Sequence, residues 1–187
     1  MTRVRPAPVA LLVVGALSAA LAGACTDPIH DGAVAQQGPD TRAPGTEFHR
    51  AGQQCVVCHD GSGPASAVFT VAGTVFAEPG TLVGANGVDI EMTDAVGSQF
   101  HAQTNCVGNF FVRDSDWAPH FPILVRISKM GSVTQTMVST IGREGSCGHC
   151  HVLHVDDPFS QMNHVYLGAD DPMPPNTCGA NPDLGAP

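Results

Sequence analysis

Two pentapeptides of one pattern, Cys55-Val56-Val57-Cys58-His59 and Cys147-Gly148-His149-Cys150-His151, bracket the middle of this 187-residue chain. Whatever fold forms between them has to carry both. The pattern has a chemical logic. Two thiols three positions apart can each bond one edge of a large planar group, and the next residue then sets an imidazole beneath its centre. One such match is uncommon by chance, and two make coincidence a poor explanation.

Each pentapeptide resembles the C-x-x-C-H attachment pattern of c-type haem proteins. The resemblance implies two covalently attached c-type haems. Cys55, Cys58, Cys147 and Cys150 would carry the thioethers, and His59 and His151 would be the proximal iron ligands. It also implies an electron carrier, a dihaem cytochrome, and not an enzyme. Four residues are candidates for the distal side. His49 precedes His59 with room to fold over either haem. His154 follows His151 closely enough to share its face of a helix, so it is expected at the other haem if it binds iron. His164 and Met173 compete for the distal side of the second haem. Met173-Pro174-Pro175 resembles the Met-Pro ligand loop of monohaem cytochromes c, at a shorter spacing from the proximal histidine. A methionine there raises the reduction potential relative to a histidine. His101 and Met92 read as strand residues, and His120 reads as a loop residue.

Residues 1–24 read as an export signal. Arg3 and Arg5 precede an apolar run, Val9 to Leu21, that is short for a membrane span, and Ala22-Gly23-Ala24 offers a small-residue cleavage site. Export suits haem attachment outside the cytoplasm and disulfide formation. Leu21-Ala22-Gly23-Ala24-Cys25 resembles a bacterial lipobox with its Leu one position early. That implies lipidation of Cys25 and an anchor that holds to a membrane without spanning it. Ordinary cleavage with a free thiol is the alternative. The expected location is the bacterial cell envelope, periplasmic or surface-exposed. The formal charge of −9 becomes more negative once Arg3 and Arg5 are removed. An acidic chain with no Lys/Arg run is a poor nucleic-acid binder and suits redox partners with basic docking patches. Its oligomeric state is not legible. Cys106 and Cys178 are left over, and a disulfide between them is the simplest use in an oxidising compartment; two unpaired thiols are the alternative.

Along the chain, residues 25–46 read as a flexible tether, and residues 47–66 as the first haem-binding segment. Residues 67–138 change to short β-prone runs separated by turn residues. Strands are predicted near Val68–Ala77, Val88–Met92, Gln99–Thr104, Asn109–Arg113, Ile123–Ser128 and Val133–Val138. Such an array makes a mainly β fold, a small antiparallel sandwich. Residues 139–187 read as the second haem-binding segment and tail. An even number of antiparallel strands returns the chain to the end where it started, so six strands put both motifs at one end of the sandwich. The middle segment resembles the carboxypeptidase regulatory-like, or transthyretin-like, sandwich family. The likeness rests on Gly73-Thr74-Val75, Leu82-Val83-Gly84, Val88 to Asp94, Gly97, and Thr104 with Gly108-Asn109-Phe110. It implies a fold and an accessory role, and no chemistry.

Two other functions compete. One is a haem redox enzyme, peroxidase- or reductase-like, with one open distal site. Bacterial dihaem peroxidases are longer and helical, and the β-rich middle of this chain departs from them. The other is a cell-surface binding module whose four thiols hold zinc, although zinc does not require a His directly after each second Cys. A thioredoxin-like role is weaker, because no βαβ pattern surrounds either C-x-x-C.

Overall fold

The computed structural model describes residues 27–39, 45–79, 81–129, 134–152 and 163–167. Among these, eight strands form two sheets, and three short helices lie at the margins. The first sheet contains β1 (Phe69–Phe76), β4 (Asn109–Arg113), β7 (Gly145–Ser146) and β8 (Val165–Tyr166). The second contains β2 (Asp89–Thr93), β3 (Gln99–Gln103), β5 (Leu124–Ser128) and β6 (Gln135–Thr136), in the order β3-β2-β5-β6. This is the mainly β sandwich that the alternating sequence pattern implies.

The second sheet follows directly from side-chain alternation. In β2, Ile90 and Met92 are fully buried, while Asp89, Glu91 and Thr93 are half-buried. Ile90 and Met92 meet Val125 and Ile127 of β5 in one core with Val71, Val75, Phe110 and Val112 of the first sheet. Each such side chain contributes roughly 1.5–3 kcal/mol by leaving water. On the opposite face Arg126 donates to the Glu91 carboxylate.

β1 is different: Val71 to Phe76 are buried without a break. A strand reads this way when both of its faces are covered. Val71 and Val75 point into the sandwich core. Thr74 and Phe76 face the other way, toward the segment that leads into the first motif and toward His164. One edge of β1 pairs antiparallel with β4. The other edge pairs parallel, first with β7 at Val71 and Ala72, then with β8 at Val75 and Phe76.

Three expectations need correction. Residues 25–46 are not all tether, because Pro28–Gln36 form a helix, α1. Asp27 caps it by accepting from the Ile29 and His30 amides, and Pro28 sits where its missing N–H costs nothing. The last of the six expected strands is confined to Gln135–Thr136 within its described part. The sandwich does not end at residue 138, since β7 and β8 belong to its first sheet. The other two helices, α2 (Cys55–His59) and α3 (Cys147–Cys150), are the two motifs themselves. Residues 1–26, and with them the export signal and Cys25, lie outside the described residues, as do His154, Met173 and Cys178. Among the described residues no helix is long and apolar enough to cross a membrane.

Candidate functional site

Both motifs are brought to β1 and lie side by side. The first arrives through residues 45–54. The Gly52 amide donates to Thr74 Oγ1 at 2.8 Å, and that hydroxyl donates to Asn109 Oδ1 at 2.8 Å. Asn109 Nδ2 in turn donates to the His49 carbonyl at 2.9 Å. The second motif bulges out between β7 and β8, opposite Gly73. A Cβ on Gly73 would stand 2.6 Å from Cys147 Cβ, so a glycine is required for Cys147 to sit there. Seven strands, β1 to β7, separate the motifs, one more than the even-count argument expects, and β7 is the strand that sets the second motif beside β1. The junction itself is made by a parallel pairing that the argument did not include.

In the first site, α2 places Cys55, Cys58 and His59 on one helical turn. His59 Nδ1 is 2.8 Å from the Ala67 carbonyl oxygen. A carbonyl can only accept, so Nδ1 carries the proton and Nε2 keeps its lone pair. His49 is held in the same way, with Nδ1 donating to the Thr46 carbonyl. The His49 and His59 ring centroids are 5.9 Å apart. The first motif therefore has two imidazoles side by side, each with its Nδ1 proton held by a backbone carbonyl. Burial, opposed by the Ala67 hydrogen bond and aided by the neighbouring His49, holds His59 below the ordinary imidazole value and favours its neutral form.

The second site repeats the arrangement at its proximal residue. His151 leaves α3 at its C-cap, and its Nδ1 lies 2.9 Å from the Asn163 carbonyl, which again fixes the proton on Nδ1. His151, Cys147 and Cys150 line a cavity of about 640 Å³. Its walls include Val125, Ile127, Met137 and Ile141, and His164 reaches it as well. Such a volume lies within the range of cofactor and ligand pockets. His164 is buried beside Asn163 and stacks flat on Phe76, with centroids 4.3 Å apart. It thus lies between the second-site cavity and Gly52.

At Cys55 and Cys147 burial favours the protonated thiol over the thiolate. Burial pushes Cys55 up to about 11 and Cys147 up to about 12, the latter with a contribution from nearby Cys55. A thioredoxin-type pair needs a thiol shifted the other way. All four motif cysteines are free thiols. Among the described residues no three His, Cys, Asp or Glu side chains converge into a metal-holding group. Cys106 is disulfide-bonded.

The remaining residues fall where the sequence leaves them. His101 is exposed on β3, and Met92 is fully buried in the core. His120 is an exposed loop residue 3.5 Å from Asp94, and His149 is exposed and 3.5 Å from Glu144.

Several site residues carry no sequence signal. The carbonyls of Thr46, Ala67 and Asn163 that seat the imidazoles are backbone atoms. Helix α1 is a further addition. His30 Nε2 donates to the Val57 carbonyl at 2.9 Å and lies 3.1 Å from Asp60. Burial raises the Asp60 carboxyl, but amide hydrogen bonds from Ser62 and Gly63, together with His30, bring it below its ordinary value. Arg50, at a φ of 54°, donates to the carbonyls of Gln37 and Gly38 and to Gln53 Oε1. These contacts fasten α1 onto the first motif. An Asp followed by Pro is a helix-start signal that could have revealed it.

Comparison of the chain with family models, with curated proteins and with solved structures gave no match.

Proposed function

We propose that this chain is an exported dihaem c-type cytochrome that relays single electrons between redox partners at the cell envelope. The observation that carries the reading is shared by both motifs. His59 and His151 each donate Nδ1–H to a backbone carbonyl, which leaves Nε2 as a free donor atom. Ligating imidazoles are oriented in this way by their outer-shell acceptors. Cys55 with Cys58, and Cys147 with Cys150, would carry the thioethers. A haem at each site supplies one-electron exchange at its iron. The chain's own residues do the rest. His49 would close the first site beside His59, the β1 platform holds both motifs next to each other, and Val125, Ile127, Met137 and Ile141 give the cavity at the second an apolar wall. The β-sandwich is read as one of the carboxypeptidase regulatory-like kind, with a scaffolding role.

Lipidation of Cys25 belongs to the same reading. α1 begins at Pro28 and is fastened to the first motif. A lipid on Cys25 would therefore hold the first site close to the membrane. The acidic surface suits partners with basic docking patches.

A second reading keeps one observation in its favour. The cavity beside His151 is large, which suits a haem enzyme with an open distal face. Carbon monoxide separates the two. The chain is matured in a host with haem-attachment machinery, and its reduced spectrum is recorded before and after the gas is added. Two low-spin haems that do not respond mean a carrier. One responding haem moves the assignment to the enzyme reading. Stoichiometric zinc with no Soret band would overturn both.

A further inference from the structure

We propose that Phe69, backed by Phe111, is a positioning residue for His59. It fixes the plane of that imidazole and so makes the first site distinct from the second in spectrum and potential. This rests on the cytochrome reading above.

The torsion that rotates a histidine ring about its Cβ–Cγ bond is broad, so the rotamer alone does not fix the ring plane. At His59 two constraints do. The hydrogen bond from Nδ1 to the Ala67 carbonyl pins one edge of the ring. Phe69 then lies flat against its face, with centroids 4.2 Å apart and the planes only 11° from parallel. Phe111 lies flat against the far side of Phe69, at 4.9 Å and 16°. Both edge and face are therefore set by Ala67 and Phe69, the stretch that runs into β1. The pairing of β1 with β4, with Ala72 opposite Phe111, places the second phenyl ring behind the first.

Among the described residues, His151 is held by its edge. The Asn163 carbonyl takes its Nδ1–H, and among the described residues no aromatic ring stacks on its face. The two proximal imidazoles thus share one hydrogen-bond device and differ in the second device. The plane of an axial imidazole governs how its π orbitals meet the metal, and outer-shell contacts of this kind tune a bound metal.

The test uses the mature, haem-loaded protein and the substitutions Phe69→Leu, Phe111→Leu and Phe69→Tyr. Leucine keeps the apolar bulk and removes the flat face. Low-temperature electron paramagnetic resonance and a potentiometric titration read each haem separately, and the second haem serves as a control within the molecule. Phe69→Leu is expected to broaden and move the low-field signal of one ferric haem and to shift one of the two midpoint potentials, leaving the other haem unchanged. Phe111→Leu should give a smaller change at the same haem, and Phe69→Tyr should restore the wild-type signal. If Phe69→Leu fails to load, Phe111→Leu decides the matter by the same readout. Unchanged signals at both haems, or equal changes at both, overturn the proposal and leave the cytochrome reading standing. Wild-type protein without haem overturns that reading and this inference together.

Discussion

A Cβ on Gly148 would stand 2.5 Å from the Gln53 carbonyl oxygen, so the second motif presses its bare backbone against the segment that leads into the first. Gly148 is an interior residue of the second pentapeptide, and Gln53 lies two residues before Cys55. The two motifs interlock through main chain. Gly148→Ala should force them apart and cost about 1–3 kcal/mol, as overpacking does. Urea unfolding of the variant beside the wild type measures the loss. An unchanged midpoint would mean that the motifs are not in contact.

The buried hydroxyl of Thr74 joins the first-motif segment to the sandwich. It accepts from the Gly52 amide and donates to Asn109 Oδ1. Thr74→Val keeps the shape and leaves both groups without their partner. Each unsatisfied buried group costs roughly 1–3 kcal/mol, so a clear drop in thermal stability is expected. Serine at the same position should recover most of it, and a valine variant as stable as wild type would contradict the bridge.

His49 stands beside His59 and is proposed to close the first site. His49→Ala should open one haem of the mature protein to carbon monoxide while the haem count per chain stays the same. Carbon monoxide spectra of the reduced variant read this directly. A variant that behaves as wild type would remove His49 from the ligand set.

Asp94 pins the turn between β2 and β3 to the loop before β5. Its carboxyl is held below the ordinary value of 3.8, chiefly by the His120 amide, against the opposing effect of burial, with help from the Ser98 and Val96 amides and the His120 ring. A depressed carboxylate stabilises the fold above the unfolded value and loses that contribution as pH falls through the folded one. The wild type should therefore lose stability as pH drops below about 3.8, and Asp94→Asn should lack this part of the acid limb while being less stable at neutral pH. Thermal melts from pH 7 to pH 2 test the sign. Parallel acid limbs in the two proteins would contradict it.

Cys106 is disulfide-bonded, and Cys178 is its expected partner. Peptide mapping without reduction should recover the two in one cross-linked fragment. Reduction should lower stability by about 2–4 kcal/mol. A fragment that joins Cys106 to Cys25 instead would rule out lipidation of Cys25.

How much of this was legible depends on how local each feature is. Asp89 to Thr93 alternates along its own length, so β2 and its buried face can be read from five residues. The break in alternation at Val71 to Phe76 is equally local, and it records that β1 is covered on both faces. β7 and β8 are two residues each, too short for any periodicity, and their parallel pairing with β1 is decided by distant chain. At the site, the four thiols and two proximal imidazoles are named by the motif. What orients them is not: the Ala67 and Asn163 carbonyls have no side-chain signature, and Phe69 looks like any strand aromatic. His49 could be nominated from its distance along the chain, but only the Asn109 and Thr46 contacts bring it to His59. Helix α1 was missed because its Pro, Gly and Asp content resembles a linker, whereas Asp27 and Pro28 are its cap and first turn.

The central claim is that both pentapeptides hold haem covalently. Intact-mass spectrometry of the mature protein, combined with pyridine-haemochrome quantitation after denaturation, counts attached haems per chain. Two are expected, falling to one when Cys55 and Cys58, or Cys147 and Cys150, are both replaced by alanine. A mature chain whose mass shows no added haem, or whose haem is released on denaturation, would contradict the account.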